Sequence, residues 1–379
     1  MRRNPGQRLQ FGLGSALAAA LAAPLLLAAC GSGGRPTPTS PRQTSTTTTA
    51  GAGITTTVPA PASGPLTLGA PIALPFSADR VTAAESPDGA VFAAPQDPTS
   101  PAPSIAWVID GNGPALVAEH VATGIAALAA DGTNFYVATY STLFAYNRAS
   151  GNQDGQWTMP QVPTANSSNN DLVALAAANG TVFVSVTRNN TVSVYTLNPG
   201  ATTAPHLLLS GLGAAIGSDG SVYYERTDHH LVARRPNGST SVGPVLADKP
   251  NGLGGGVQYL DVVAGGAVWV SEPAGQGLDA TLATYDAATL HQLGSFQGSV
   301  TSTVVDSSAG ALVLEAAGSD PACPQASPSS PTSCVFNIVP QGSVSNAVGV
   351  GSAVTLLGPD PAVIASDTAS GQFDLMRLS

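Results

Sequence analysis

The sequence predicts an all-β protein, a seven-bladed β-propeller preceded by a signal peptide and a disordered Thr/Pro/Ser-rich tether. Composition points there first. Only 9% of the 379 residues are charged while Gly (42) and Pro (31) are abundant, a balance that suits short strands joined by turns rather than helical bundles. Repetition points there second: a polar turn, a small residue and a run of alternating β-branched and aromatic residues recur at intervals of 43, 48, 40, 46, 44 and 51 residues. In an all-β chain, a period of about 40 to 50 marks four-stranded propeller blades. The chain also finishes on a strand-like segment, 373–379, for which 66–76 offers an outer neighbour.

Residues 1–29 read as a lipoprotein signal peptide. Arg2, Arg3 and Arg8 precede an uncharged run from Phe11 to Ala29, which closes on Leu27-Ala28-Ala29-Cys30. Small residues at 28 and 29 admit a signal peptidase, and the thiol of Cys30 is the nucleophile that takes diacylglycerol. One acyl chain binds a membrane marginally and several bind stably. The expected address is therefore the cell membrane, lipid-anchored, on the extracytoplasmic side. The competing reading is an uncleaved anchor, since about 20 apolar residues span a bilayer. Arg2-Arg3 suggests twin-arginine export, but Asn4-Pro5-Gly6 does not suit that route, and the general secretory one is expected.

Residues 30–65 are the lipidated cysteine and its linker. Between 36 and 63, 18 of 28 positions are Thr, Pro or Ser, too little apolar surface to offset the entropy of ordering. From residue 66 the body carries 8 Lys plus Arg against 23 Asp plus Glu, a difference of −15. Such a surface repels phosphate backbones and anionic lipid, so no nucleic-acid partner is expected and membrane attachment falls to the lipid.

Residues 66–379 form the propeller domain. Its turns centre on Asp88-Gly89, Asp131-Gly132, Asn179-Gly180, Asp219-Gly220, Gly265-Gly266, Ala309-Gly310 and Asp360-Pro361. Asn-Gly and Asp-Gly between apolar runs predict type I′ hairpins, with positive φ at both central residues. The apolar runs before the turns, such as 125–129, 172–176, 260–263 and 302–305, are expected as innermost strands. Third strands follow at 143–146, 191–195, 231–234 and 282–285, and outer ones at 115–118, 206–209 and 244–247. In the last blade 66–76 supplies the outer strand beside 373–379, which closes the ring and removes free edges there.

The stretch from Gly180 to Tyr195, GTVFVSVTRNNTVSVY, resembles the YVTN and quinoprotein-like β-propeller repeats, and the likeness extends over 66–379. That superfamily contains cofactor-dependent dehydrogenases, lyases, surface-layer proteins and assembly scaffolds, so the resemblance implies a fold and not a reaction. The tryptophan-docking motifs of quinone-cofactor repeats are missing, since Trp107, Trp157 and Trp269 share no repeat position. No cofactor is expected.

With Cys30 committed to lipid, Cys323 and Cys334 remain, flanking a Ser/Pro-rich insertion in the sixth segment. In an oxidising compartment they are expected to form a disulfide, contributing about 3 kcal/mol by loop closure. Metal binding by two cysteines without a nearby His is disfavoured.

His229-His230 follows Glu225, Arg226 and Asp228 in the second-to-third strand loop of the fourth blade. Two readings stand: a site for a divalent metal or an anionic ligand, or a solvated turn whose adjacent side chains point to opposite faces. Aligning the hairpins places Thr139, Arg188, Arg226, Glu272, Glu315 and Asp367 just past the second strands, near one rim. A rim of charges suits a small-molecule or peptide site at a channel mouth, although loops are polar wherever they meet water. No nucleophile elbow or spaced metal motif is present in the sequence, so no catalytic residue and no metal ligand is assigned.

The functional expectation is a monomeric binding or scaffolding module for a protein or small-molecule ligand. The alternative is an extracytoplasmic enzyme of lyase or sugar-dehydrogenase type, using His229, Glu272 and Arg188.

Overall fold

The computed structural model describes residues 66–379 apart from 78–80, 96–103, 111–112, 123, 160–171, 189–190, 201–203, 247–258, 265, 274–278, 300–302, 308–309, 317–332, 339–347, 351, 359–360 and 367–371. Among the described residues every regular element is a strand, and the strands form seven four-stranded antiparallel sheets. No helix among them is long and apolar enough to cross a membrane. The signal peptide, Cys30 and the tether lie outside the described residues.

Each sheet is a blade whose strands run outward from the axis in chain order. Blade 1 comprises Val81–Glu85, Val91–Pro95, Ser104–Asp110 and Gly113–Ala122, and blade 2 Ile125–Ala130, Asn134–Thr139, Thr142–Asn147 and Gln153–Thr158. Blade 3 comprises Leu172–Ala178, Thr181–Arg188, Thr191–Leu197 and His206–Gly211, and blade 4 Gly213–Ile216, Val222–Glu225, His230–Arg234 and Thr240–Val245. Blade 5 comprises Tyr259–Ala264, Ala267–Pro273, Asp279–Asp286 and Gln292–Ser299, and blade 6 Thr303–Ser307, Gly310–Ala316, Ser333–Ile338 and Val348–Val350. Blade 7 takes Ser352–Leu357, Ala362–Ser366 and Gln372–Arg377 from the C-terminal end and its outer strand, Ile72–Ser77, from the beginning.

The core sits between blades rather than inside any one of them, because alternation gives every inner sheet two faces to bury. Phe92 of blade 1 stacks on Phe135 of blade 2 at 5.1 Å, and Phe135 on Tyr146 at 5.2 Å. Tyr136 and Ala138 of blade 2 pack with Leu175 and Val184 of blade 3. Tyr223 and Leu231 of blade 4 share a cluster with Val268 and Ala283 of blade 5, and Trp269 of blade 5 meets Val313 and Phe336 of blade 6. Leu314 of blade 6 packs with Val363 of blade 7, and Leu375 and Phe373 of blade 7 with Val91 and Ala93 of blade 1. The series returns to its start.

Closure follows the expected route. Ile72 pairs with Leu375, Ala73 with Asp374, and Leu68 bridges to Leu378. Thr67 N–H donates to the Ser379 carbonyl at 2.8 Å, and Gly69 N–H to the Arg377 carbonyl at 2.7 Å.

Two local expectations are corrected. Among the described turns, only Asn179-Gly180 has both central residues at positive φ, 50° and 74°. At Asp88-Gly89 and Asp219-Gly220 only the glycine is left-handed, closing a three-residue loop: Ser86 N–H donates to Ala90 O, and Gly217 N–H to Ser221 O. Each Asp carboxylate instead accepts a local donor, from Ser86 and Ser221 respectively, so Asp-Gly here specifies a bulged turn. The outer strand of blade 4 spans Thr240–Val245 rather than 244–247. The same turn geometry at Arg235–Ser239 starts it earlier, with Thr240 opposite Arg234.

Candidate functional site on the loop face

Antiparallel order divides the connections between two faces of the ring. First-to-second and third-to-fourth strand turns lie on one face, second-to-third turns and blade-to-blade connections on the other. The first is fastened by side chains reaching between blades. Arg148 Nη1 donates to Asp88 Oδ1 at 2.8 Å and its guanidinium lies 5.5 Å from the Phe92 ring centre. Asn179 Nδ2 donates to Asp219 O at 2.8 Å. Arg235 Nη2 donates to Ala287 O at 2.7 Å and Nη1 to the Tyr223 hydroxyl at 2.7 Å. Arg377 Nη1 donates to buried Glu85 at 2.9 Å, tying blade 7 to blade 1. We call this the clasp face and its opposite the loop face.

The loop face carries the charged turn of blade 4. Arg226 N–H donates to His230 O and His229 N–H to Arg226 O, closing a three-residue loop on a left-handed residue. In the sister turns that residue is Gly89, Gly220 or Gly238, and here it is His229, with φ of 64°. For a residue with a Cβ this conformation costs about 1 to 2 kcal/mol.

What holds the turn is its own polar network. Glu225, the last residue of its strand, is buried with 1% of its side chain exposed, and its Oε1 lies 2.7 Å from His229 Nδ1. Tyr223 and Glu225 share one face of the strand by alternation. Tyr223 donates from its hydroxyl to Ala287 O, so both look toward blade 5. The imidazole stands at the opening, 39% exposed. Beside it Arg226 donates from Nε to Asp228 Oδ1 at 2.7 Å and from Nη2 to Oδ2 at 2.5 Å. That guanidinium holds the Asp228 carboxyl far below the ordinary carboxylate range. His230 Nδ1 lies 3.4 Å from Asp228 Oδ1.

The structure thus brings Arg226, His229 and His230 into one turn. The two imidazoles take different partners, His229 beside Glu225 and His230 beside Asp228, so His229 is not merely solvated. The sequence grouped Glu225 with this cluster but placed it in the loop; the structure makes it the last, buried residue of its strand. The five-residue offset from the turn glycine puts Ser185, Glu225, Ser271 and Glu315 at one repeat position, and the first three side chains are buried. Glu272 and Arg226 share the next position. Glu315 is therefore not equivalent to Glu272.

Arg188 is exposed at the end of its strand in blade 3. Thr139 serves its own turn, its hydroxyl donating to Thr142 O and accepting from Thr142 N–H. Glu272 and Glu315 are the penultimate residues of their strands in blades 5 and 6, near the loop-face end. Asp367 and Cys323 lie outside the described residues, while Cys334 is buried in the third strand of blade 6. No group of three or more His, Cys, Asp or Glu suited to a metal ion occurs among the described residues.

No protein-family model and no curated protein matches the chain. Solved structures match its fold. The WD40 domain of Toxoplasma gondii coronin aligns with a TM-score of 0.52 at 12% identity, covering 85% of this chain and 88% of that one. U3-55K aligns at 0.49 and 12% identity, covering 84% of this chain and 99% of that one. An oligogalacturonate lyase in complex with manganese aligns at 0.49 and 12% identity, covering 84% and 98%. At 12% identity the likeness to the coronin domain shows the β-propeller fold alone.

Proposed function

We propose that this chain is an exported lipoprotein, cut before Cys30 and held by lipid on the extracytoplasmic side of the cell membrane. Its propeller, whose repeats resemble the YVTN and quinoprotein-like superfamily, acts as a binding or scaffolding module for a protein or small-molecule ligand. The basic start, uncharged run and lipobox support the address, and the Thr/Pro/Ser-rich tether supplies reach.

The observation that carries the binding reading is the difference between the faces. On the clasp face the described turns are short and joined blade to blade by Arg148, Asn179, Arg235 and Arg377. On the loop face lies the charged turn of blade 4, Arg226–His230, whose Arg226, Asp228 and His229 side chains are turned to their own network rather than to a neighbouring blade's turn. Recognition is usually carried by loops set on a rigid scaffold. We further propose a Cys323–Cys334 bridge at the root of 317–332, which burial of Cys334 supports.

Cross-linking mass spectrometry on the membrane-anchored protein tests this. Links to a partner should fall on the loop face and weaken in Arg226→Ala and His230→Ala; links confined to the clasp face would refute it. Cys30→Ala should abolish acyl labelling and release the protein from the membrane.

A second reading has one observation in its favour. A buried carboxylate orienting an imidazole is an arrangement used for acid–base chemistry, as an extracytoplasmic lyase or sugar dehydrogenase would need. Arg188, His229 and Glu272 stand on three successive blades at the same end.

A further inference from the structure

We infer that Asn237 is a site of spontaneous covalent modification, at which the backbone nitrogen of Gly238 displaces the side-chain amide as ammonia and water then leaves aspartate or isoaspartate. The site lies on the clasp face and is independent of the binding reading. The Gly238 nitrogen gives its proton to solvent base and bonds to Asn237 Cγ. The Cγ–Nδ2 bond breaks, and the amide nitrogen departs as ammonia with a proton taken back from solvent. Water then opens the cyclic imide at either carbonyl, so the reaction consumes water, releases ammonia and needs no oxidant or reductant.

That attack is favoured by a side chain folded back over the next peptide, by donors on Oδ1, where charge gathers as the nitrogen adds, and by a next residue without a Cβ to crowd the nitrogen. Asn237 meets all of these. It is exposed, in the third-to-fourth strand turn of blade 4. Its Oδ1 accepts from Ser239 N–H at 2.9 Å and from the Ser239 hydroxyl at 2.7 Å. An asparagine oxygen that reaches the N–H two residues on lays its side chain across the peptide between. That peptide belongs to Gly238, at φ 83°, where a Cβ would meet nothing within 4 Å, so the turn has room to close an imide ring. Gly238 N–H donates to Arg235 O at 2.9 Å, a bond it gives up as the nitrogen turns to Cγ.

Asparagines in the sister turns of the clasp face meet only part of these conditions. Asn147 Oδ1 accepts from the N–H groups of Ala149 and Ser150, each at 3.0 Å, and from the Ser150 hydroxyl at 3.2 Å, but the next residue is Arg148, whose Cβ crowds the nitrogen. Asn198 Oδ1 accepts from Gly200 N–H at 3.1 Å, but Pro199 has no N–H to become the nucleophile. Asn179 has its glycine, yet its Nδ2 donates to Asp219 O at 2.8 Å. The bond that fastens blade 3 to blade 4 thus holds back the amide whose loss would set a carboxylate against a carbonyl oxygen. At Asn237 the product instead adds a negative charge two residues from Arg235, whose guanidinium ties blade 4 to blade 5. Asn112-Gly113 and Asn251-Gly252 have their asparagines outside the described residues.

The test is peptide mapping by mass spectrometry on the full chain held at mildly alkaline pH, with aspartate and isoaspartate separated by chromatography and each asparagine scored by itself. In the folded protein Asn237 should convert about fivefold faster than Asn179, the ratio set by one hydrogen bond of ordinary net worth, and Asn147 should stay unconverted. In denaturant Asn237 and Asn179 should convert at equal rates, because the fold is what separates them. Ser239→Ala removes the hydroxyl donor while keeping the N–H, and it should slow Asn237 about fivefold and leave Asn179 as it was. Conversion at Asn179 as fast as at Asn237 in the folded protein would overturn the inference. So would an Asn237 rate untouched by Ser239→Ala, or a preference for Asn237 that persists in denaturant, which would assign it to local sequence.

Discussion

Single side chains decide whether neighbouring blades stay joined, and Arg377 shows how. Its guanidinium reaches from blade 7 to Glu85 at 2.9 Å and to the Gly89 carbonyl at 2.5 Å. The Glu85 side chain is fully buried, and a buried carboxylate stripped of its cation is expensive, whereas removing both charges costs less. Arg377→Ala should therefore destabilise the domain by about 3 kcal/mol, and Arg377→Ala with Glu85→Ala by less than the sum of the single changes. Denaturant melts of the four proteins check this, and additive losses would refute the coupling. Asp88 makes a weaker, more exposed clasp with Arg148, whose hydrogen bond, with one from Ser86, lowers its carboxyl from 3.8 to about 2. A depressed acid contributes stability that is present above its unfolded value and lost as pH falls through the folded one. Part of the stability should accordingly disappear between about pH 4 and 2, and Arg148→Ala should flatten that part of the profile. Screening keeps the amplitude small, so the slope is the quantity to measure.

At the scale of strands and turns, close approach of backbones sets what the sequence tolerates. A Cβ at Gly211 would collide with the Glu225 carbonyl oxygen and come within 3.3 Å of the Tyr224 ring, whereas one at Gly132 would meet nothing within 4 Å. Gly211→Ala should cost about 1 to 3 kcal/mol, the usual range for overpacking, while Gly132→Ala should leave the melting temperature unchanged or slightly raised. Equal effects in thermal melts would contradict this. These elements also show how far the sequence can be read. Innermost strands such as Ile125–Ala130 and Leu172–Ala178 were legible because burial on both faces writes a continuous apolar run. Outer strands such as Gln153–Thr158 and Thr240–Val245 are largely exposed, so their composition does not distinguish them from loops, and the boundary at 244–247 slipped. Turn type was half legible. Asp-Gly announces a turn, but whether one or both residues turn left-handed depends on loop length, which the partner strand fixes. The charged turn at Arg226–His230 was visible as a cluster. Glu225 was visible beside it, but its burial was not, because nothing in the sequence says that an acid ending a strand is buried between blades.

For the molecule as a whole, the decisive contact is between the two ends of the propeller domain. Blade 7 obtains its outer strand from Ile72–Ser77, and Leu74 on that strand is buried among Ile364, Leu375 and Val81. A sheet that closes on itself has no free edge at the seam, and its inter-blade clusters form an unbroken circuit, so opening one seam exposes both a strand edge and a hydrophobic face. A chain beginning at residue 66 retains Thr67, Gly69 and the hydrogen bonds they make to Ser379 and Arg377, and it should melt in one transition at the same temperature as the longer protein. A chain beginning at residue 78 loses Leu74 and the whole outer strand. Leu74 alone is expected to be worth about 2 to 5 kcal/mol, against a typical total of about 5 to 15 kcal/mol for a domain. The shorter chain should melt far lower or populate oligomers that pair the exposed third strand, Gln372–Arg377, with another copy. Adding a peptide of residues 66–77 in trans should restore the monomer. Light scattering and calorimetry on the four samples decide it: a monomer lacking 66–77 with unaltered stability would mean that the ring does not depend on this seam.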